Sequence, residues 1–64
     1  MFEYTDYARY RDAKGYTDYK VSLLTGISRT TISEWHTGKH RPRLETLILI
    51  GRELGIPLEE VCEP

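Results

Sequence analysis

Apolar residues recur three positions apart in the middle of this chain, a spacing that places them on one face of an α-helix. Val21 and Leu24 form one such pair, and Ile32 and Trp35 form another. Gly26 lies between the pairs and can adopt the left-handed backbone of a sharp turn, because it has no Cβ. The pattern therefore predicts a helix, a tight turn and a second helix, with both pairs facing inward.

Residues with helix-capping side chains frame both predicted helices. Thr17 is a candidate N-cap, and Asp18 places a negative charge at the positive end of the helix dipole. Ser28 is the candidate N-cap of the second helix, and Gly38 marks its end. Residues 17–37 are thus predicted to form a helix-turn-helix, with the second helix over 28–36, a shape that fits the DNA major groove.

The residues before this unit predict one more helix, over 5–14. Tyr7 and Tyr10 share one stripe, Ala13 lies beside them, and Gly15 is a stop signal. By the same pattern Tyr16 belongs to the core, whereas Tyr4 and Tyr19 are expected to be more exposed.

The residues after the unit predict a fourth helix over 44–54, preceded by Pro42 and ended by Gly55. The apolar run 47–50 also fits a buried strand, but its flanking residues favour a helix. The inward candidates of this helix are Leu47, Ile48, Ile50 and Leu54. A last short helix begins near Pro57 and offers Leu58 and Val61 to the core. We therefore expect an all-α fold in which residues 1–64 form one compact five-helix domain.

The composition narrows the function classes. Cys62 is the single cysteine, and paired Cys/His spacing is lacking, so neither a disulfide scaffold nor a zinc site is expected, and the reducing cytoplasm is favoured. The first ten residues contain acids and lack a long apolar run, which argues against a signal peptide or membrane anchor. His36 and His40 lack a fixed nucleophile beside them, so we expect neither an enzyme nor a cofactor.

Charge is unevenly distributed although the net charge is only −1. Residues 29–43 contain four basic residues against Glu34, a net charge of +3, whereas the remaining residues carry −4. A positive face on a near-neutral domain favours steering toward a phosphate backbone. A solvated surface of mixed charge is the alternative interpretation.

Residues 13–56 resemble the lambda-repressor-like (Cro/repressor, Xre-type) helix-turn-helix family, and the likeness extends over about residues 7–61. The positions that carry it are Gly15, Tyr16, Thr17, Gly26, Ile27, Ser28, Ile32, Gly38, Lys39, Pro42, Leu44 and Leu47. The resemblance implies a small transcriptional regulator of phage, plasmid or bacterial origin, of the repressor type, that binds double-stranded operator DNA as a homodimer. Such a dimer implies an inverted-repeat operator with half-sites roughly 34 to 36 Å apart.

The resemblance also assigns roles to individual residues. The base-reading positions of the family correspond to Arg29, Thr30, Ser33 and Glu34. Arginine can donate two parallel hydrogen bonds to guanine, and threonine can contact a thymine methyl group. The DNA backbone contacts fall on Asp18, Ser28, Thr31, Thr37, Lys39, His40, Arg41 and Arg43. An arginine placed like Arg43 is also expected to reach into a narrow minor groove.

Several residues leave alternatives open. Glu34 can accept from a cytosine amino group, orient Arg29 or face water, and Asp18 replaces a glutamine common in the family, so that phosphate would repel its carboxylate. Leu23 and Leu49 are predicted to be exposed, either as ordinary surface leucines or as a partner patch. With the weak net charge, these features support an alternative function as a protein-interaction module, an antitoxin or adaptor that retains the fold.

Overall fold

Five α-helices form the part of the chain that the computed structural model describes, residues 1–62. They are α1 (Tyr4–Ala13), α2 (Asp18–Thr25), α3 (Arg29–Thr37), α4 (Leu44–Leu54) and α5 (Leu58–Val61). The apolar run 47–50 lies within α4, so the all-helical prediction is confirmed. The last two residues of the predicted domain, 63 and 64, lie outside the described residues.

The helix bounds agree with the sequence pattern to within one residue. Helix α4 begins and ends where it was predicted. Helix α1 begins one residue earlier than predicted, because Glu3 is its N-cap and the Glu3 N–H donates to Asp6 Oδ2 at 2.9 Å. Pro57 is the N-cap of α5 rather than its first residue.

The core combines residues from every helix with one residue from the segment before α1 and one from the connection between α4 and α5. Its buried members are Phe2, Tyr7, Val21, Ile32, Trp35, Leu47, Ile50, Leu54, Ile56 and Val61. Tyr10, Tyr16, Ile27 and Ile48 are partly buried against this cluster. The sequence pattern had not singled out Phe2 or Ile56, because both lie outside any helix and therefore outside any helical stripe.

Three predicted core residues are exposed instead. Leu24 is 39% exposed and Leu58 is 58% exposed. Each of these leucines lies three positions from a buried valine. Three residues turn a helix by about 300°, so the leucine points about 60° away from the valine and lies at the edge of the buried stripe. Ala13 is exposed because the six steps from Tyr7 rotate it by about 120° off that stripe.

The N-terminal segment fixes α3 from its inner side through aromatic contacts. The indole ring of Trp35 lies 6.1 Å from the ring of Phe2, 5.5 Å from that of Tyr4 and 5.3 Å from that of Tyr7, measured between centroids. The ring of Tyr4 also stacks on the ring of His36, with 4.2 Å between the centroids and an interplanar angle of 9°. Tyr4 is therefore half-buried, and the prediction of a more exposed ring was wrong.

Side chains of α2 hold the turn between α2 and α3. Gly26 has a φ of 79°, which confirms the left-handed turn expected of it. Ser22 Oγ donates to the carbonyl of Ile27 at 2.6 Å, while the N–H of Ile27 donates to Thr25 Oγ1 at 3.2 Å. Both backbone polar groups of the turn residue are thus bonded to α2, which fixes the angle at which α3 leaves the turn.

Candidate nucleic-acid interface

The outer face of α3 is polar and open to solvent. Arg29, Thr30 and Ser33 are exposed, whereas Ile32 and Trp35 on the opposite face are buried. The N-terminus of α3 is capped as predicted, since Ser28 Oγ accepts the N–H of Thr31 at 3.1 Å. The three exposed residues are thereby presented together on the first two turns of a rigid helix.

The side chain of Arg29 rests on an aromatic ring from the neighbouring helix. Its guanidinium carbon lies 5.1 Å from the ring centroid of Tyr19, near the start of α2. Within residues 1–62 no ion pair joins Arg29 to Glu34. The Glu34 carboxylate instead lies 3.8 Å from Lys39 Nζ, and both groups are accessible to water.

A shallow depression of about 570 Å³ separates the start of α2 from the outer face of α3. It is lined by Thr17, Asp18, Tyr19, Arg29, Thr30, Ser33 and Glu34. The depression therefore brings together all four residues that were predicted to read bases.

The loop after α3 presents its basic side chains from a fixed backbone. Gly38 has a φ of 80°, and the N–H of Lys39 donates to the Glu34 carbonyl at 2.8 Å. The Thr37 hydroxyl donates to the same carbonyl at 3.2 Å. His40 is exposed, as is Arg43, which is the N-cap of α4. Within residues 1–62 Arg43 forms no ion pair, so its charge is available to a ligand.

Arg41 differs from the other cations of this loop, because its guanidinium holds the N-terminal segment. Its Nη2 donates to the Phe2 carbonyl at 2.9 Å, and its Nη1 contacts the sulfur of Met1. The Glu3 carboxylate lies 3.7 Å away. A phosphate contact by Arg41, as predicted, would compete with these interactions.

The Asp18 carboxylate is turned inward, toward α1. It accepts from the hydroxyls of Tyr4 at 2.8 Å and Tyr7 at 2.5 Å, and from Arg11 Nη1 at 2.9 Å. Partial burial acts to raise the pKa of this carboxyl, but the three hydrogen bonds and the charge of Arg11 outweigh it, so its pKa lies below the ordinary value. Burial, reinforced by the bond to Asp18, raises the pKa of the Tyr7 hydroxyl.

This arrangement changes what the start of α2 can offer to DNA. The carboxylate of Asp18 is already satisfied by protein donors and partly neutralised by Arg11. Thr17 Oγ1 accepts the N–H of Lys20 at 3.1 Å, which confirms the predicted cap. The backbone N–H groups of Asp18 and Tyr19 lie at the positive end of the helix and donate to no backbone acceptor within residues 1–62.

The sequence pattern missed the residues that support this surface from behind. Tyr4, Arg11, Ser22 and Thr25 each position an element of the helix-turn-helix, yet none belongs to a periodic apolar stripe. For Ser22 and Thr25 the signal available in the sequence is a serine and a threonine shortly before a Gly-Ile turn. Tyr4 and Arg11 lie 14 and 7 positions from Asp18, so local sequence carries no such signal for them. No group of three metal-ligating side chains occurs among the first 62 residues, and none of their helices is long and apolar enough to cross a membrane.

Comparison with known families agrees with this geometry. The helix-turn-helix family model matches residues 8–61, which is more than half of the chain. The chain has no significant match among curated proteins or among solved structures. The chain therefore belongs to the Cro/C1-type, Xre-like helix-turn-helix family, a family of DNA-binding regulators rather than enzymes.

Proposed function

We propose that this protein is a transcriptional regulator of the repressor type that binds specific double-stranded DNA with α3 in the major groove. The observation that carries the proposal is the exposure of Arg29, Thr30 and Ser33 on one face of α3, with the opposite face locked into the core. Guanine offers two acceptors in the major groove to an arginine fork, and threonine and serine can bond base edges there.

The surrounding groups supply contacts that position the protein without reading sequence. Lys39, His40 and Arg43 follow α3 on a fixed loop, and the capped N-termini of α2 and α3 offer backbone N–H groups. Ser28, Thr31 and Thr37 add hydroxyls beside them. Phosphate contacts of this kind fix the register of a recognition helix on the duplex.

The contacts of Asp18 with α1 answer the objection that its negative charge would repel DNA. A free carboxylate at the start of α2 would repel phosphate, but here it pairs with Arg11 at 2.9 Å. The positive charge of residues 29–43 is then opposed mainly by Glu34, which pairs with Lys39. A phosphate can replace that exposed ion pair at little cost, since such pairs stabilise a protein by about 0 to 1 kcal/mol.

Selection from a random duplex library, followed by a salt titration on the enriched sequence, tests the proposal. We expect one enriched motif and a linear fall of log binding constant with log salt concentration, with a slope of about −0.9 per neutralised phosphate. Failure to enrich any sequence would contradict sequence-specific binding and favour the protein-interaction module, an antitoxin or adaptor.

We further propose that the regulator acts as a homodimer that pairs through α5. An apolar groove of about 320 Å³ lies between α4 and α5, and Leu58, which is 58% exposed, is one of the residues that line it. Its lining residues are Ile48, Gly51, Arg52, Ile56, Leu58 and Val61. A second copy that inserts its own Leu58 would cover this surface in a symmetric contact.

We propose that residues 1–64 act as one domain in the cytoplasm, without catalytic activity, cofactor or small-molecule ligand. The core that joins all five helices supports the single domain.

A further inference from the structure

Tyr19 is a large exposed aromatic residue that does not contribute to the core. Its side chain is 54% exposed, whereas Tyr4, Tyr7, Tyr10 and Tyr16 are buried in the core or packed against it. A domain of this length has few large apolar side chains with which to build a core. The position of Tyr19 on the surface therefore calls for a role outside folding.

The contact that Tyr19 makes is with the guanidinium of Arg29. The distance of 5.1 Å from guanidinium carbon to ring centroid is within the range of a cation–π interaction. Arg29 is the first residue of α3, where the helix dipole disfavours a positive charge. The aromatic face supplies an attractive partner for a cation in an otherwise unfavourable position.

The contact also restricts Arg29 without using its hydrogen bonds. A ring face attracts the cation but accepts none of its N–H donors, and within residues 1–62 Arg29 forms no salt bridge. A long exposed arginine otherwise samples many rotamers and can reach several phosphates. Because the guanidinium of Arg29 rests on Tyr19, it is held over the depression between α2 and α3, and its N–H donors remain free.

We propose that Tyr19 is a specificity-determining residue that acts by positioning Arg29 for a guanine edge. Base preference at the pair read by α3 thus depends on a residue of α2 that contacts no base itself. This inference rests on the proposed function, because it concerns the same DNA-reading face.

The test compares Tyr19→Leu with Tyr19→Phe on the DNA motif enriched by the wild-type protein. Leucine removes the aromatic face and keeps an apolar side chain, whereas phenylalanine keeps the ring. The base pair read by Arg29 is identified as the one whose preference is lost in Arg29→Ala. Fluorescence anisotropy then gives the affinity ratio between the guanine site and the site substituted at that pair.

We expect Tyr19→Leu to lower this ratio by roughly two- to fivefold, the range of an exposed cation–π contact. Tyr19→Phe should keep the ratio, and adding Tyr19→Leu to Arg29→Ala should lower it no further. The salt slope should not change in Tyr19→Leu, because no phosphate-binding charge is removed. Each variant should retain the fold, because Tyr19 lies outside the core. Circular dichroism and the thermal midpoint of each variant check this.

Besides an unchanged ratio in Tyr19→Leu, three results would overturn the inference. They are an equal loss of affinity for every sequence in Tyr19→Leu, additive losses in the double variant, and a loss in Tyr19→Phe as large as in Tyr19→Leu. The last result would point to direct contact by the hydroxyl. If the wild-type protein enriches no motif, the proposed function itself fails, whereas enrichment with an unchanged ratio in Tyr19→Leu refutes only the role of Tyr19.

Discussion

Two arginines at the ends of the positive segment are expected to contribute differently to binding. Arg29 lies on the exposed face of α3, and Arg43 lies at the N-cap of α4 without an ion pair in residues 1–62. We expect Arg29→Ala to relax base preference by about 1 to 3 kcal/mol at one base pair. Arg43→Ala should weaken binding to all sequences and reduce the salt slope by about one.

Salt titrations of both variants on the enriched motif and on random duplex separate these effects. Arg9→Ala is a matched control, because Arg9 is exposed on α1 and pairs with Asp6 at 2.9 Å. Equal losses on both duplexes for Arg29→Ala and Arg43→Ala would contradict the division between base and phosphate contacts.

At Asp18 we predict an acid-sensitive contribution to stability. The folded state lowers the pKa of this carboxyl, so below about pH 4 the unfolded state binds more protons and the free energy of unfolding falls. Asp18→Asn should destabilise the protein by about 1 to 2 kcal/mol at neutral pH. Its stability should also decline less steeply than that of the wild type as the pH falls.

Urea denaturation at several pH values measures both effects. Asp12→Asn is the matched control, because Asp12 also pairs with Arg11, at 3.0 Å, but from an exposed position. It should cost less than about 0.5 kcal/mol. A loss in Asp12→Asn equal to that in Asp18→Asn would show that the inward hydrogen bonds contribute nothing beyond a surface ion pair.

Among the helices, the sequence pattern was most successful where caps and stripes coincide. The bounds of α4 and the caps Thr17 and Ser28 followed from local chemistry, which depends on neighbours in the sequence. The aromatic contacts of Phe2 and Tyr4 with Trp35 could not be predicted in this way. They join residues more than thirty positions apart, and no periodicity relates such partners.

Substitution of Gly26, in the turn between α2 and α3, is predicted to destabilise the protein. Gly26 has a φ of 79° and no atom near the place a Cβ would occupy, so substitution causes backbone strain without a clash. Gly26→Ala should cost about 1 to 2 kcal/mol of stability. Gly26→Asn should cost less, because asparagine tolerates the left-handed region.

The urea midpoints of the two variants, compared at an unchanged m-value, test this expectation. An alanine variant as stable as the wild type would show that the turn can adopt another backbone conformation. In that case DNA affinity should still fall although stability is unchanged, because the angle between α2 and α3 would differ.

For the molecule as a whole, the size of one copy is compatible with the proposed homodimer. The described residues extend 27 Å along their longest axis, less than the roughly 34 Å between equivalent half-sites on one face of the duplex. We expect Leu58→Asp to prevent dimer formation and to retain helicity, because Leu58 is exposed in the monomer and a buried charge would be costly in the interface.

Sedimentation equilibrium of the wild type and of Leu58→Asp measures the oligomeric state. Leu23→Asp is the matched control, since Leu23 is 62% exposed on α2, away from the groove residues. Dissociation by Leu23→Asp but not by Leu58→Asp would move the interface to α2 and contradict pairing through α5.

The sequence distinguished the exposed face of α3, which we propose reads DNA, from the core better than it predicted how that face is held. The exposed positions of α3 followed from the spacing of Ile32 and Trp35, because two residues three positions apart define the buried face and the residues opposite that face are exposed. The inward turn of Asp18 and the engagement of Arg41 by Phe2 depend on tertiary neighbours. A charged residue in a sequence reveals its sign but not the direction of its side chain.

The intrinsic fluorescence of Trp35 reports on the packing behind α3. It is the only tryptophan of the chain, and it is buried against Phe2 and Tyr7 directly behind the face that bears Arg29. Its emission should shift to longer wavelength when the packing behind α3 loosens, and should change little when a duplex occupies the opposite face. Unfolding can therefore be followed by Trp35 emission in unlabelled protein, with or without a bound duplex.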